Sequence, residues 1–225
     1  MTGPGVFGAL AEEICRRRLG HPVRVAVDGI TAAGKTTFAD HLADQVRSHG
    51  RPALRVSMDG FHNPRAVRHR RGRASADGYY EDAYDLGGFR REVLAPLGPG
   101  GDGSFRPAVI ALASDGPAPD RRSVVPPHSV VIVDGSFLQK PDLRPAWDVV
   151  VYLRTSFAAA ERRGVARDAD ALGGTAAATA MFRSRYHAAQ RRYLEECDPE
   201  RSADVVVDVE DVAAPYLVPP SSGGG

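Results

Sequence analysis

Residues 25–37 read Val-Ala-Val-Asp-Gly-Ile-Thr-Ala-Ala-Gly-Lys-Thr-Thr: an apolar run, then the spacing G-x-x-x-x-G-K-T, then a helical pattern over residues 37–48. No other stretch restricts the fold as much. A loop of this spacing curls with its backbone N–H groups pointing inward, which suits a row of phosphates, and Gly29 and Gly34 permit the curl. Lys35 is placed to reach β- and γ-phosphates, Thr36 offers a hydroxyl to Mg²⁺, and the helix that follows adds its dipole. The candidate nucleotide-binding residues are therefore Gly29, Ile30, Thr31, Ala32, Ala33, Gly34, Lys35, Thr36 and Thr37. The composition supports this. Of 29 lysines and arginines only Lys35 and Lys140 are lysines, so an arginine-biased chain carries a compact ammonium at the position that needs one. The expected cofactors are ATP and Mg²⁺.

Strand and helix patterns alternate along the chain, as a mostly parallel sheet requires. Strand patterns fall at 22–28, 53–58, 129–134, 147–153 and 203–209, and helical ones at 6–19, 85–94, 156–166 and 175–196. Residues 106–113 and 122–125 read as a pair of short strands over a turn at Gly116-Pro117. At 225 residues the chain suits a single α/β domain over 1–213, with 214–225 as a loose tail ending in Ser-Ser-Gly-Gly-Gly. A net charge of +1 gives no global field to draw in nucleic acid or a membrane surface. Cys15 and Cys197 have no metal-ligand spacing and read as reduced thiols. With neither a signal-peptide order nor a long apolar run, the expectation is a cytoplasmic protein acting on a small molecule; self-association as a homo-oligomer stays open.

Several strand patterns end in an acid followed by glycine, among them Asp59-Gly60 and Asp134-Gly135. In an open α/β sheet ligands sit beyond the carboxyl ends of the strands, so both acids are aimed at the nucleotide. Phosphoryl transfer needs one carboxylate for Mg²⁺ and one to take the proton of the attacking hydroxyl, and these two fit in one order or the other. Arg154, Arg162, Arg163 and Arg167 follow the strand at 147–153, and Arg163 and Arg167 share a helical face. The cluster Arg65, Arg68, Arg70, Arg71 and Arg73 follows Asp59; it reads as a loop that attracts an anionic substrate or as an ordinary solvated loop, with a nucleic-acid patch as a third reading.

The loop at 29–37, Asp59-Gly-Phe-His62, the segment Gly78-Tyr-Tyr-Glu-Asp82-Ala-Tyr-Asp85 and Asp134-Gly135 resemble the uridine kinase and phosphoribulokinase group over residues 22–209. The resemblance implies a P-loop NTPase fold, a three-layer α/β/α sandwich with a mostly parallel central sheet and a small helical lid at about 155–182. It makes Asp59 the base for the acceptor hydroxyl and puts Asp134 on Mg²⁺ with Thr36, Asp59 being a further metal candidate. Arg163 and Arg167 are the implied lid arginines, since the family's Arg-x-x-x-Arg-Asp pattern ends on Arg167-Asp168. Asp59, His62, Tyr79, Tyr80 and Asp82 are the implied substrate-facing residues.

The sequence departs from the nucleoside kinases in two places. Tyr79 stands where their ribose-gripping Asp falls, with Asp77 as the nearest substitute, and Ala108-Val-Ile-Ala-Leu112 replaces their aromatic pyrimidine cradle. The expected activity is transfer of the γ-phosphate of ATP to a hydroxyl of a uridine- or cytidine-like nucleoside or a related small alcohol. The alternatives are a kinase of a sugar phosphate or pantothenate-like acid, and a non-kinase P-loop ATPase module.

Overall fold

Val23, Val25 and Val27 face one way along the first strand and Arg24, Ala26 and Asp28 the other, yet all seven residues of β1 (Val23–Gly29) are buried. Such a strand needs cover on both faces. The computed structural model describes residues 5–219 and supplies that cover. The other strands are β2 (Ala53–Ser57), β3 (Ser104–Phe105), β4 (Ile110–Ala111), β5 (Gly116–Pro117), β6 (Ser123–Val124), β7 (Val130–Asp134), β8 (Val149–Arg154), β9 (Val205–Asp208) and β10 (Tyr216–Leu217). The central sheet runs β10-β9-β8-β1-β7-β2, parallel throughout except for β10.

The helices are α1 (Val6–Arg16), α2 (Lys35–Ser48), α3 (Arg65–Arg68), α4 (Ala76–Asp82), α5 (Leu86–Phe89), α6 (Phe157–Leu172), α7 (Thr175–Met181), α8 (Ala188–Cys197) and α9 (Pro199–Ser202). One sheet face buries Val23, Val25, Val27, Ile132 and Val151 with Leu10 and Ile14 of α1 and Phe38 and Leu42 of α2. The other buries Ala26, Val131, Val133 and Val150 with Tyr79, Phe89, Phe137 and Tyr193. Each large apolar side chain so enclosed contributes about 2 kcal/mol. The result is the three-layer α/β/α sandwich the sequence implies.

Register positions the site. Asp134 lies opposite Val27 of β1 and Ser57 of β2, so three strands finish at one edge. The chain leaves β1 toward β2 on one side and later reaches β8 on the other, which makes β1 the point where strand order reverses and a crevice opens.

Several expectations are corrected. The 106–125 region forms two ribbons, β3 with β6 and β4 with β5, so Gly116-Pro117 is a strand and not the turn. Within the expected tail, Tyr216–Leu217 pairs antiparallel with β9, while residues 220–225 lie outside the described residues. The helix expected at 156–166 is longer. The Ser156 hydroxyl accepts from the Ala159 N–H (3.1 Å) to cap α6, which runs to Leu172 before Gly173 (φ 88°) turns the chain into α7. The single helix expected at 175–196 contains a wider π-helical turn, Phe182–His187.

Candidate functional site

The phosphate loop has its N–H groups turned inward by two residues in the left-handed region, Ala32 (φ 66°) and Gly34 (φ 95°). The first is a strained place for a side chain, the kind of cost a fold accepts at a ligand site. Thr31, Ala32, Gly34, Lys35, Thr36 and Thr37 line the cleft, and Ile30 and Ala33 are buried behind them. The Lys35 ammonium donates to the Gly29 (2.9 Å) and Ile30 (2.8 Å) carbonyls, and burial pushes its pKa down to about 8. Behind Gly29 sits a third strand-end acid that the sequence reading did not use. Asp28 is fully buried and accepts from the Gly29 N–H (2.8 Å), the Gln139 amide (3.1 Å) and the Tyr193 hydroxyl (2.5 Å). Burial raises its carboxyl above the usual range. It ties the start of the loop to α8.

The two acids read from the sequence meet across the same cleft. Met58 and Gly135 follow β2 and β7 in contact, and a Cβ on Gly135 would overlap the Met58 Cβ, so only glycine lets the two strand ends close together. The Thr36 hydroxyl donates to Asp134 Oδ2 at 2.7 Å. The other oxygen accepts from Arg55 of β2 (2.7 Å), which also pairs with Asp40 (2.6 Å). Arg55 is a site residue with no motif to announce it. Asp59 is two-thirds exposed, its N–H held by the Ser57 hydroxyl (3.3 Å), and the His62 Nδ1 donates to its carbonyl (3.1 Å). Burial lowers the His62 pKa, so it is neutral at physiological pH.

This donor set fits Mg²⁺. A hydroxyl and a carboxylate oxygen 2.7 Å apart are the hard oxygens that ion takes. Among the described residues no cluster of three or more His, Cys, Asp or Glu side chains forms, so an ion here would be completed by phosphate oxygens and water.

The cleft is about 930 Å³ and also admits His62, Tyr79, Arg167 and Asp168. Other expected residues are spent elsewhere. Tyr80 donates to Glu196 (2.8 Å) and lies under the Lys140 ammonium, 3.6 Å from its ring centre. Asp82 is buried and held by Arg70 and by Arg71 (2.9 Å), which removes all three from the substrate side. Asp77 pairs with Arg192 (3.3 Å) and does not substitute for a ribose ligand. Arg163 donates to the Ala32 (3.2 Å) and Val209 (3.1 Å) carbonyls and the Thr155 hydroxyl (2.8 Å), so it braces the loop against the end of β9. Arg167 reaches the cleft, paired with Asp168 (2.7 Å).

A second cavity of about 260 Å³ lies beside the loop, sharing Ala32, Gly34, Thr37 and Arg167 with the cleft. Its apolar walls are Phe7, Phe38, Val209, Val212 and Pro215. Nothing in the sequence joined these residues, which come from α1, α2 and the segment after β9.

No family model matches the sequence, and no curated protein matches it. Solved structures do. A possible uridine kinase from Bacillus stearothermophilus superposes with TM-score 0.70 at 23% identity, over 89% of this chain and 96% of that one. A candidate fructose transport system kinase from Silicibacter sp. TM1040 gives 0.69 at 26% identity, over 86% and 96%. The chain shares the fold of these P-loop kinases. D-glycerate 3-kinase from Cryptococcus neoformans, at 11% identity, has TM-score 0.59 over 96% and 100%. The uridine kinase-like fold thus extends over nearly the whole length of these neighbours, and the α/β/α expectation holds. Among the described residues no helix is long and apolar enough to cross a membrane.

Proposed function

We propose that this protein transfers the γ-phosphate of ATP to a hydroxyl of a small molecule. The observation that carries the reading is the Thr36–Asp134 pair (2.7 Å) on a phosphate loop whose cleft also presents Asp59, an exposed carboxylate with no ion-pair partner among the described residues closer than His62 (3.8 Å). A pure nucleotide switch has no use for a free carboxylate aimed at a wide second half of the cleft. The base of ATP fits the apolar second cavity, and its phosphates fit the curl of the loop under Lys35. Arg167, on the helical lid at 155–182, faces the same place and would offset charge on the transferring group.

Asp59 accepts the acceptor's O–H proton as that oxygen bonds to the γ-phosphorus; the bond to the β–γ bridging oxygen breaks and its electron pair leaves with ADP. Thr36 and Asp134 are the residues that would hold Mg²⁺, and that ion would supply neutralisation of phosphate charge. Lys35 and the loop N–H groups orient the chain of phosphates, and the apolar second cavity fixes the base. Phosphorus NMR of wild type and Asp59→Asn, with ATP and a panel of alcohols, tests this. A new phosphate-ester signal lost in the variant is expected; one that persists unchanged would remove Asp59 from the chemistry.

A further inference from the structure

The two ends of the cleft differ in charge. Under the loop, Lys35 and Arg167 are balanced by Asp134 and Asp168. The far end holds Arg65, Arg68, Arg73 and Arg185, with Asp59 as the only acid among its lining residues. Arg68 has a partner, Asp115 at 2.8 Å. Arg65, Arg73 and Arg185 have no carboxylate within ion-pair distance among the described residues.

Arg185 is the odd member. It is only 6% exposed, it donates to the Arg73 carbonyl, and its Nε is buried with no hydrogen-bond partner. A buried guanidinium beside like charges is costly unless an anion completes it. The π-helical turn Phe182–His187 explains how it arrives there. The wider turn brings neighbouring residues Arg185 and Tyr186 to the cleft together, and such turns recur at functional sites. The surrounding potential is felt by His69, whose pKa falls first by burial and then through Arg185, Arg68, Arg73 and Arg65.

The same guanidinium excludes a nucleobase. It lies 5.2 Å from the Tyr79 ring centre and 5.8 Å from that of Tyr186, so it occupies the aromatic surface a pyrimidine would stack on. Of residues 108–112 only Leu112 reaches the lining.

We propose that the acceptor is a small alcohol bearing a carboxylate or phosphate, and that Arg185, with Arg73 and Arg65, is the seat for that anion. The acceptor's hydroxyl then faces Asp59. The inference rests on the phosphotransferase reading of the cleft and narrows its substrate class.

The test measures binding and turnover separately. Glycerate, ribose 5-phosphate, ribose and uridine are titrated calorimetrically into wild type, Arg185→Gln, Arg185→Lys and Arg73→Ala, each with a non-hydrolysable ATP analogue present. ADP release with ATP is recorded for the same set. At least one anionic probe is expected to bind roughly 30-fold tighter than ribose or uridine, and Arg185→Gln to remove most of that preference. Arg185→Lys should restore part of it, Arg73→Ala should cost several-fold, and salt should weaken only the anionic probes. A preference for glycerate identifies a carboxylate, and one for ribose 5-phosphate identifies a phosphate. If Arg185→Gln fails to fold, the exposed pair Arg73→Ala and Arg65→Ala carries the test. Neutral probes binding as well as anionic ones, or anion affinity unmoved in these variants, would overturn the inference. Failure of the kinase reading looks different: Arg185-dependent anion binding with no ADP release above the acceptor-free rate.

Discussion

Arg55 offers a sharp physical test of the metal end of the site. Its guanidinium and the Thr36 hydroxyl between them satisfy Asp134, each at 2.7 Å, and the carboxylate is 4% exposed while Arg55 is 30% exposed. Breaking a fully buried pair costs roughly 3–5 kcal/mol, and partial exposure of the arginine brings Arg55→Met to about 2 kcal/mol. For a chain of this size that is a fall in Tm of about 4–8 °C. The neighbouring Asp40–Arg55 pair is mostly solvated, with Asp40 55% exposed, so Asp40→Ala should cost under about 1 kcal/mol and serves as the control. The ligand dependence is the diagnostic part. If Mg²⁺ binds at Thr36 and Asp134, it supplies the positive charge the variant lacks. Saturating Mg·ATP should then shrink the Tm gap between wild type and Arg55→Met by more than half, and the variant should need less Mg²⁺ for half-maximal effect. Differential scanning fluorimetry across Mg·ATP concentrations reads both. A gap that stays constant, or no gap without ligand, would refute the assignment of Asp134 to the metal.

Asp59→Asn should lower kcat by roughly 10²–10⁴ with little change in the KM for ATP, because it removes a proton acceptor and leaves the phosphate loop intact; steady-state kinetics decide. Asp28→Ala leaves the Tyr193 hydroxyl, the Gln139 amide and the Gly29 N–H unpaired, at roughly 1 kcal/mol each, so denaturant unfolding should show a loss of about 3 kcal/mol together with weaker ATP binding. His187 is buried against Phe157 (4.7 Å) and Phe182 (5.9 Å), and burial lowers its pKa although Glu161 opposes this. A depressed folded pKa means stability present above about pH 6.5 and lost as pH falls below it, so His187→Phe should flatten that decline while changing stability at pH 8 by under about 1 kcal/mol. A decline as steep in the variant as in wild type would place the acid sensitivity elsewhere.

The phosphate loop, the parallel strands and the two strand-end acids were legible because their signals are local: a spacing, an apolar run, an acid before a glycine. Arginine roles were not. Arg70 and Arg71 sit in the same run as Arg68 and Arg73, yet the geometry of one short helix and turn sends the first two to Asp82 and the last two to the cleft. Arg185 falls inside the helical pattern at 175–196 and nothing singled it out, because a π-helical turn leaves no mark in hydrophobic spacing. Tyr80 and Asp82 share a segment with Tyr79, but successive helical positions face different ways, and only Tyr79 of the three lines the cleft. The second cavity joins Phe7 to Val212 and Pro215, contacts that only the closed sheet creates.

We propose that the loop at 29–37 holds a nucleotide whose terminal phosphate is passed to a small alcohol. Acceptor-dependent ADP release, measured for wild type and Lys35→Ala over anionic and neutral alcohols, tests it most directly. At least one alcohol should raise ADP release well above the acceptor-free rate, and Lys35→Ala should abolish the increase because the β- and γ-phosphates lose their cation. No alcohol raising the rate, or an increase that survives in Lys35→Ala, would contradict it.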